Sequence, residues 1–197
     1  FPNEEIPKLV LDVQFADSGV ATNKGKVLSS LPVVQGTTNA IVTRWNTLYA
    51  KYEAVFDGTN FFYVPYTKED AIGNAMQGMF SMEILFSPDG GVNPFSSKES
   101  GGLGYEMTSD NKLAFYYRAN NKWVLPNNNF QIPIQVGQNA YYHAVVTYNK
   151  TTFRMYLNGN KVKEMKVSGS FNFPQKNQAP DYLMGIGGDY RDVVIPS

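Results

Sequence analysis

The chain has no cysteine and a single histidine among its 197 residues. The first absence removes disulfides, thiolate metal centres and thiol nucleophiles together. The second leaves His143 without another imidazole for a metal pair. Charge is scarce and balanced: Lys plus Arg and Asp plus Glu number 17 each, and charged residues are 17% of the chain. No basic stripe is available to neutralise a phosphate backbone, so nucleic acid is not expected as a partner. No run approaches the roughly 20 apolar residues needed to span a bilayer. The opening "FPNEEIPKLV" carries neither the basic nor the apolar region of a secretory signal, so any such signal is expected to have been removed from a precursor, which could also carry a lipid anchor.

Sustained helical periodicity is also missing, and what is present is period-two alternation. In "KLVLDVQF", Leu9, Leu11, Val13 and Phe15 share one face. "KYEAVF" (51–56) and "FFYVPY" (61–66) flank "DGTN" and predict a hairpin turning at Asp57-Gly58. "MFSMEILFSP" places Phe80, Met82, Ile84 and Phe86 together, and "GGLGYEM", "NKLAFYYR" and "NKWVLP" follow as short strands. "KEDAIGNAMQ" (68–77) predicts one helical turn, too short and glycine-broken for a core helix. Within "YYHAVVTYNKTTFRMYLNGNKV", Tyr142, Ala144, Val146 and Tyr148 make the core face of a strand. Phe153, Met155 and Leu157 point inward on the next, and Asn158-Gly159 forms a two-residue turn of the primed type. That turn predicts Tyr156 opposite Lys161, Met155 opposite Val162, and Arg154 opposite Lys163, with the two cations facing water. Many strands and few helices imply an all-β sandwich or barrel, and the length suits one domain.

Order and spacing of these segments resemble the laminin-G-like branch of the concanavalin A-like lectin/glucanase superfamily, in its bacterial cell-surface form. "LVLDVQF", "AVFDGTNFFYV", "FSMEILF", "GGLGYEM…NKLAFYYR", the aromatic-His "VVTY…LNG" hairpin and "YLMGIGGD" carry the resemblance. It implies a jelly-roll-like sandwich of two antiparallel sheets over residues 1–197, incomplete at its C-terminus because the family runs on through a closing strand where this chain stops at "YRDVVIPS". It also implies a secreted or cell-surface setting, the bacterial envelope, and a glycan, calcium or protein ligand.

Catalysis finds little support. The superfamily's glucanases carry Glu-x-Asp-x-x-Glu on one strand, and no such run occurs here; Glu83 stands alone and Glu106 has only Asp110 beyond it. Glycoside hydrolysis needs two carboxyl groups about 5–10 Å apart, so no enzyme is expected. His143 has no local Ser or Asp to form a triad and reads as a sheet residue. Calcium takes six to eight oxygens; the resemblance offers loop acids Asp57 and Asp189, each of which also suits a turn. "SPDGGVNP" is a one-copy, incomplete likeness of the sialidase Asp-box and reads as a loop. Asn149-Lys150-Thr151 meets the N-glycosylation pattern by chance.

Sugar binding asks for an aromatic face and amides. Tyr116, Trp123, Asn120, Asn121, Asn127 and Asn128 lie in one strand-loop-strand unit, and "TRWNTLY" adds Trp45. The competing reading packs Trp123 in the core and leaves the Asn run as a turn. The expectation is a noncatalytic, carbohydrate-binding recognition module; the alternative is a structural or protein-interaction domain accessory to a catalytic domain that this chain does not include.

Overall fold

A computed structural model describes residues 11–25, 33–35, 40–65, 71–88, 95–97, 102–124, 130–137, 140–167, 169, 171 and 183–187. Among the described residues, sixteen strands form three antiparallel sheets, accompanied by one short helix. In the first, β1 (Val13–Phe15), β2 (Ala21–Asn23), β4 (Val42–Asn46) and β5 (Lys51–Val55) take the order β2-β1-β5-β4. The second holds β3 (Val34–Gln35), β6 (Phe62–Pro65), β8 (Phe95–Ser97), β9 (Leu103–Met107), β10 (Lys112–Ala119), β11 (Lys122–Val124) and β16 (Leu183–Ile186), ordered β11-β10-β9-β8-β16-β6-β3. Its remaining strand, β12 (Gln131–Pro133), also pairs with β10. In the third, β7 (Phe80–Phe86), β13 (Tyr142–Tyr148), β14 (Thr152–Leu157) and β15 (Asn160–Lys166) run β15-β14-β13-β7.

The second and third sheets face each other through alternate side chains, as period-two geometry requires. Leu103, Tyr105 and Met107 of β9 and Leu113, Phe115, Tyr117 and Ala119 of β10 meet Ala144, Val146 and Tyr148 of β13 and Phe153 and Met155 of β14. Phe153 stands 4.9 Å from Phe115 and 5.2 Å from Tyr117 across the layers, measured between ring centroids. The tyrosines fit because their hydroxyls find acceptors: Tyr105 donates to the Met82 carbonyl at 3.1 Å and Tyr148 to that of Lys150 at 2.9 Å. Burial holds both phenols above the ordinary tyrosine range, so they remain neutral donors. A smaller cluster of Ala21, Ile41 and Phe62, flanked by Phe15, Ala54 and Phe56, fastens the first sheet to the β6 end of the second.

Three expectations are corrected. "KYEAVF" and "FFYVPY" are not a hairpin: β5 pairs with β1 and β4, while β6 pairs with β3 and β16. Asp57 turns the chain from one sheet to another, and the hairpin partner of β5 is β4, a strand that the alternation does not reveal. The helical segment, α1 (Ala71–Gln77), does contribute to the core, because Ile72 and Met76 lie four residues apart on one face and are both buried in the main cluster.

The third correction concerns the β14–β15 hairpin. Its turn is as expected, with Asn158 and Gly159 at φ of 49° and 82°, the paired left-handed values that glycine and asparagine tolerate. Tyr156 does oppose Lys161, but a bulge follows, so Met155 opposes Lys163 and Arg154 opposes Glu164. The extra residue is Val162, and its insertion replaces a like-charge pair with an ion pair, Arg154 Nε to Glu164 Oε2 at 3.0 Å. The strand expected to be missing after "IGGD" falls outside the described residues.

Candidate functional site

The predicted sugar-contact residues separate into two places. Tyr116 and Trp123 come together on the face of the second sheet that points away from the core, with ring centroids 5.2 Å apart at 73°. Asn120 and Asn121, at φ of 50° and 60°, form the turn between β10 and β11, and that turn sets Arg118 directly opposite Trp123. The Arg118 guanidinium carbon lies 5.8 Å from the Trp123 ring centre. Tyr116 is buried and supports Trp123 from the side, while Trp123 is half-buried. A Cβ placed on Gly169 would fall 2.2 Å from Asn120 Nδ2, so the Asn120 amide packs against that loop. Asn127 and Asn128 lie outside the described residues.

Trp45 belongs to the first sheet, on its edge strand β4, and is 52% exposed. It pairs with Tyr52, which in turn pairs with Phe15, so a cross-strand aromatic row runs from the smaller core cluster out to solvent. Tyr52 meets the indole nearly edge-on, 5.1 Å away at 69°. The loop that follows is fixed by buried Asn46, whose Oδ1 accepts from the backbone N–H groups of Leu48 and Tyr49 at 2.9 and 3.2 Å. Leu48 and Tyr49 remain exposed, and Tyr49 leans on Tyr141, 5.6 Å away.

On the other face of β4 and β5, Glu53 gathers donors. Arg44 Nε bonds its Oε1, Asn46 Nδ2 reaches Oε2 at 2.9 Å, and the Tyr141 hydroxyl reaches Oε1 at 3.2 Å. Burial would raise this carboxyl, but hydrogen bonds from Asn46, Arg44 and Tyr141 outweigh it and hold Glu53 below its ordinary range. A depressed carboxyl contributes stability that is present above its unfolded value of 4.5 and is lost as pH falls through the folded one. Glu53→Gln is therefore expected to lower the unfolding free energy at neutral pH, with the difference from wild type closing below pH 4.5. Urea titrations of both proteins across the acid range check this, and a gap that stays constant with pH would contradict it.

His143 lies on the outer face of the third sheet. Its backbone is tied to the hairpin turn, the N–H donating to Asn158 Oδ1 and the carbonyl accepting from Asn158 N–H, both at 2.8 Å. Nε2 stands 3.0 Å from Glu83 Oε1, with side chains 41% and 68% exposed. Both side chains are partly exposed, but the Nε2 atom itself is covered and its approach to Glu83 lacks hydrogen-bond geometry.

The acids do not converge. Glu83 projects outward from the third sheet and Glu106 outward from the second, on opposite sides of the core. Asp110 is held by Lys112 and Thr108, which depress its carboxyl in that order. Asp57 accepts from the Thr59 N–H and hydroxyl, both at 2.8 Å, which lowers its carboxyl and closes the turn between sheets. Asp189 lies outside the described residues. No group of three or more His, Cys, Asp or Glu able to hold a metal occurs among the described residues. The sequon asparagine is also committed locally, Asn149 Oδ1 accepting from Thr151 and Thr152.

Sequence reasoning missed Arg118, Glu53 and Tyr141. The Arg118–Trp123 pairing was countable from a two-residue Asn-Asn turn. The Tyr141–Glu53 contact joins residues 88 apart in sequence and has no local signal.

Solved structures share this architecture, among them the following two. Domain 4 of AbnA, a GH43 extracellular arabinanase from Geobacillus stearothermophilus, in complex with arabinotriose, superposes with a TM-score of 0.62 at 13% identity over 94% of this chain and 86% of that one. A tryptophan-to-alanine mutant of HCR/D gives 0.58 at 11% identity, covering 94% of this chain and 44% of that one, so the chain spans less than half of its length. At such identities the likeness is one of fold. Among curated proteins none matches the sequence. Residues 78–193 match the laminin G family within the concanavalin A-like lectin/glucanases superfamily. That match covers more than half of the chain, which therefore belongs to the concanavalin A-like lectin/glucanases superfamily as a laminin-G-like member.

Proposed function

We propose that this chain is a noncatalytic carbohydrate-recognition module of a secreted or cell-surface bacterial protein. The observation that carries the reading is Trp45: a half-exposed indole anchored by Tyr52 on an edge strand, with its following loop fixed by Asn46. A pyranose or furanose lies its apolar face against such a ring, and a ring already held in place loses little freedom on binding. Trp123 adds a second, less exposed ring on another sheet. The noncatalytic part is supported by Glu83 and Glu106 standing on opposite sides of the core, where they cannot flank one glycosidic bond. A domain of the same fold solved with arabinotriose is consistent with the ligand class.

Calorimetric titration across plant and host polysaccharides, arabinan oligomers included, tests it. At least one glycan is expected to bind, and Trp45→Ala to weaken that binding by about tenfold or more, equivalent to about 1.4 kcal/mol. A flat response across the panel removes the carbohydrate reading.

A further inference from the structure

We propose that Arg118, held over Trp123, receives the carboxylate of a uronic acid, so that the second aromatic site selects acidic polysaccharides. The inference rests on the carbohydrate reading for its ligand class but on a different part of the surface from Trp45. Along β10, Leu113, Phe115, Tyr117 and Ala119 alternate into the core, which turns Tyr116 and Arg118 to the opposite face. Arg118 there opposes Trp123 across the hairpin, and Tyr116 opposes Gly104, which has no side chain to crowd the tyrosine.

The charge of Arg118 is unanswered. Of the arginines among the described residues, Arg44 pairs with Glu53 and Arg154 with Glu164, whereas Arg118 has no carboxylate. Its Nε is shielded from water and has no acceptor, and Nη2 reaches only the Asn121 carbonyl, at a long 3.5 Å. Stacking on the indole at 5.8 Å accounts for the ring but satisfies none of the N–H groups. A guanidinium presents five N–H donors in a planar fork, and a carboxylate is the anion whose two oxygens match that fork. The chain as a whole has a formal charge of +0, so capture of an acidic glycan would depend on Arg118 and weaken with salt.

The test titrates the whole chain with oligomers of galacturonate, glucuronate and mannuronate and with neutral galactan, glucan and mannan of equal length, at low and high salt. At least one acidic oligomer is expected to bind tighter than its neutral counterpart. That preference should fall about tenfold in Arg118→Gln, fall less in Arg118→Lys, and survive Trp45→Ala. An acidic preference unchanged in Arg118→Gln, or binding confined to neutral oligomers, overturns the inference and leaves the carbohydrate reading standing. Silence toward both sets overturns both. If the Gln variant does not fold, the Lys variant decides: it keeps the charge and stem but not the fork, and an unaltered acidic-to-neutral ratio counts against the inference.

Discussion

Truncating Phe153 to alanine is expected to lower the unfolding free energy by about 3–5 kcal/mol, the range for a fully buried phenylalanine. The side chain exposes 0% of its surface and meets Phe80, Phe115, Tyr117, Tyr148 and Phe171, with ring centroids 4.8 to 6.3 Å away. These partners come from both facing sheets and from the segment beyond β15. No single neighbour can move in to fill the space without abandoning another contact. Domains of this size are held by roughly 5–15 kcal/mol, so the loss takes a large share of the total. In urea the midpoint should fall while the slope stays constant, since the surface exposed on unfolding hardly changes. A loss under about 1 kcal/mol would mean that Phe153 is not the point where the two layers meet.

The third sheet, whose center holds Phe153, was the part most legible in the sequence. Three of its strands, β13 to β15, follow one another through tight turns, so alternation fixes the faces and Asn158-Gly159 fixes the register near the turn. Register failed only beyond Tyr156, because a bulge leaves no mark in a binary pattern. Val162 reads as an ordinary strand residue, and only the gain of the Arg154–Glu164 pair shows why the slip is favourable. The hydrophobic pattern of "KYEAVF" and "FFYVPY" likewise matches two strands, β5 and β6. Their assignment to one hairpin failed because alternation reports which side of a strand is buried, not which strand lies beside it.

The candidate sites follow the same division. Tyr116, Trp123, Asn120 and Asn121 were found together because a hairpin keeps neighbours in sequence as neighbours in space. Trp45 is a sugar-contact candidate from sequence alone, but its anchoring row through Tyr52 to Phe15 depends on the pairing of β1 with β5. Glu53 could not be anticipated, since its donors Arg44, Asn46 and Tyr141 come together only when the first and third sheets are placed.

The seam between the first two sheets gives the second large expected effect. Gly187, immediately after β16, has a φ of 83°, and a Cβ built there would lie 2.2 Å from the Phe56 ring. Gly187→Ala therefore meets two costs at once. The left-handed backbone disfavours a side chain by roughly 1–2 kcal/mol. The Phe56 ring must also shift, and forcing an extra carbon into packed side chains costs about 1–3 kcal/mol. Phe56 cannot simply swing away, because it meets Phe15 and Phe62 edge-on at 6.4 and 6.3 Å, and these three rings join β1 to β6. A total destabilisation of about 2–5 kcal/mol is expected by urea unfolding. The variant Phe56→Leu separates the two costs: combined with Gly187→Ala it should recover part of the packing loss while the backbone penalty persists, so the double mutant is less impaired than the sum of the single changes. Strict additivity would show that the two residues do not touch and that the first sheet is fastened elsewhere.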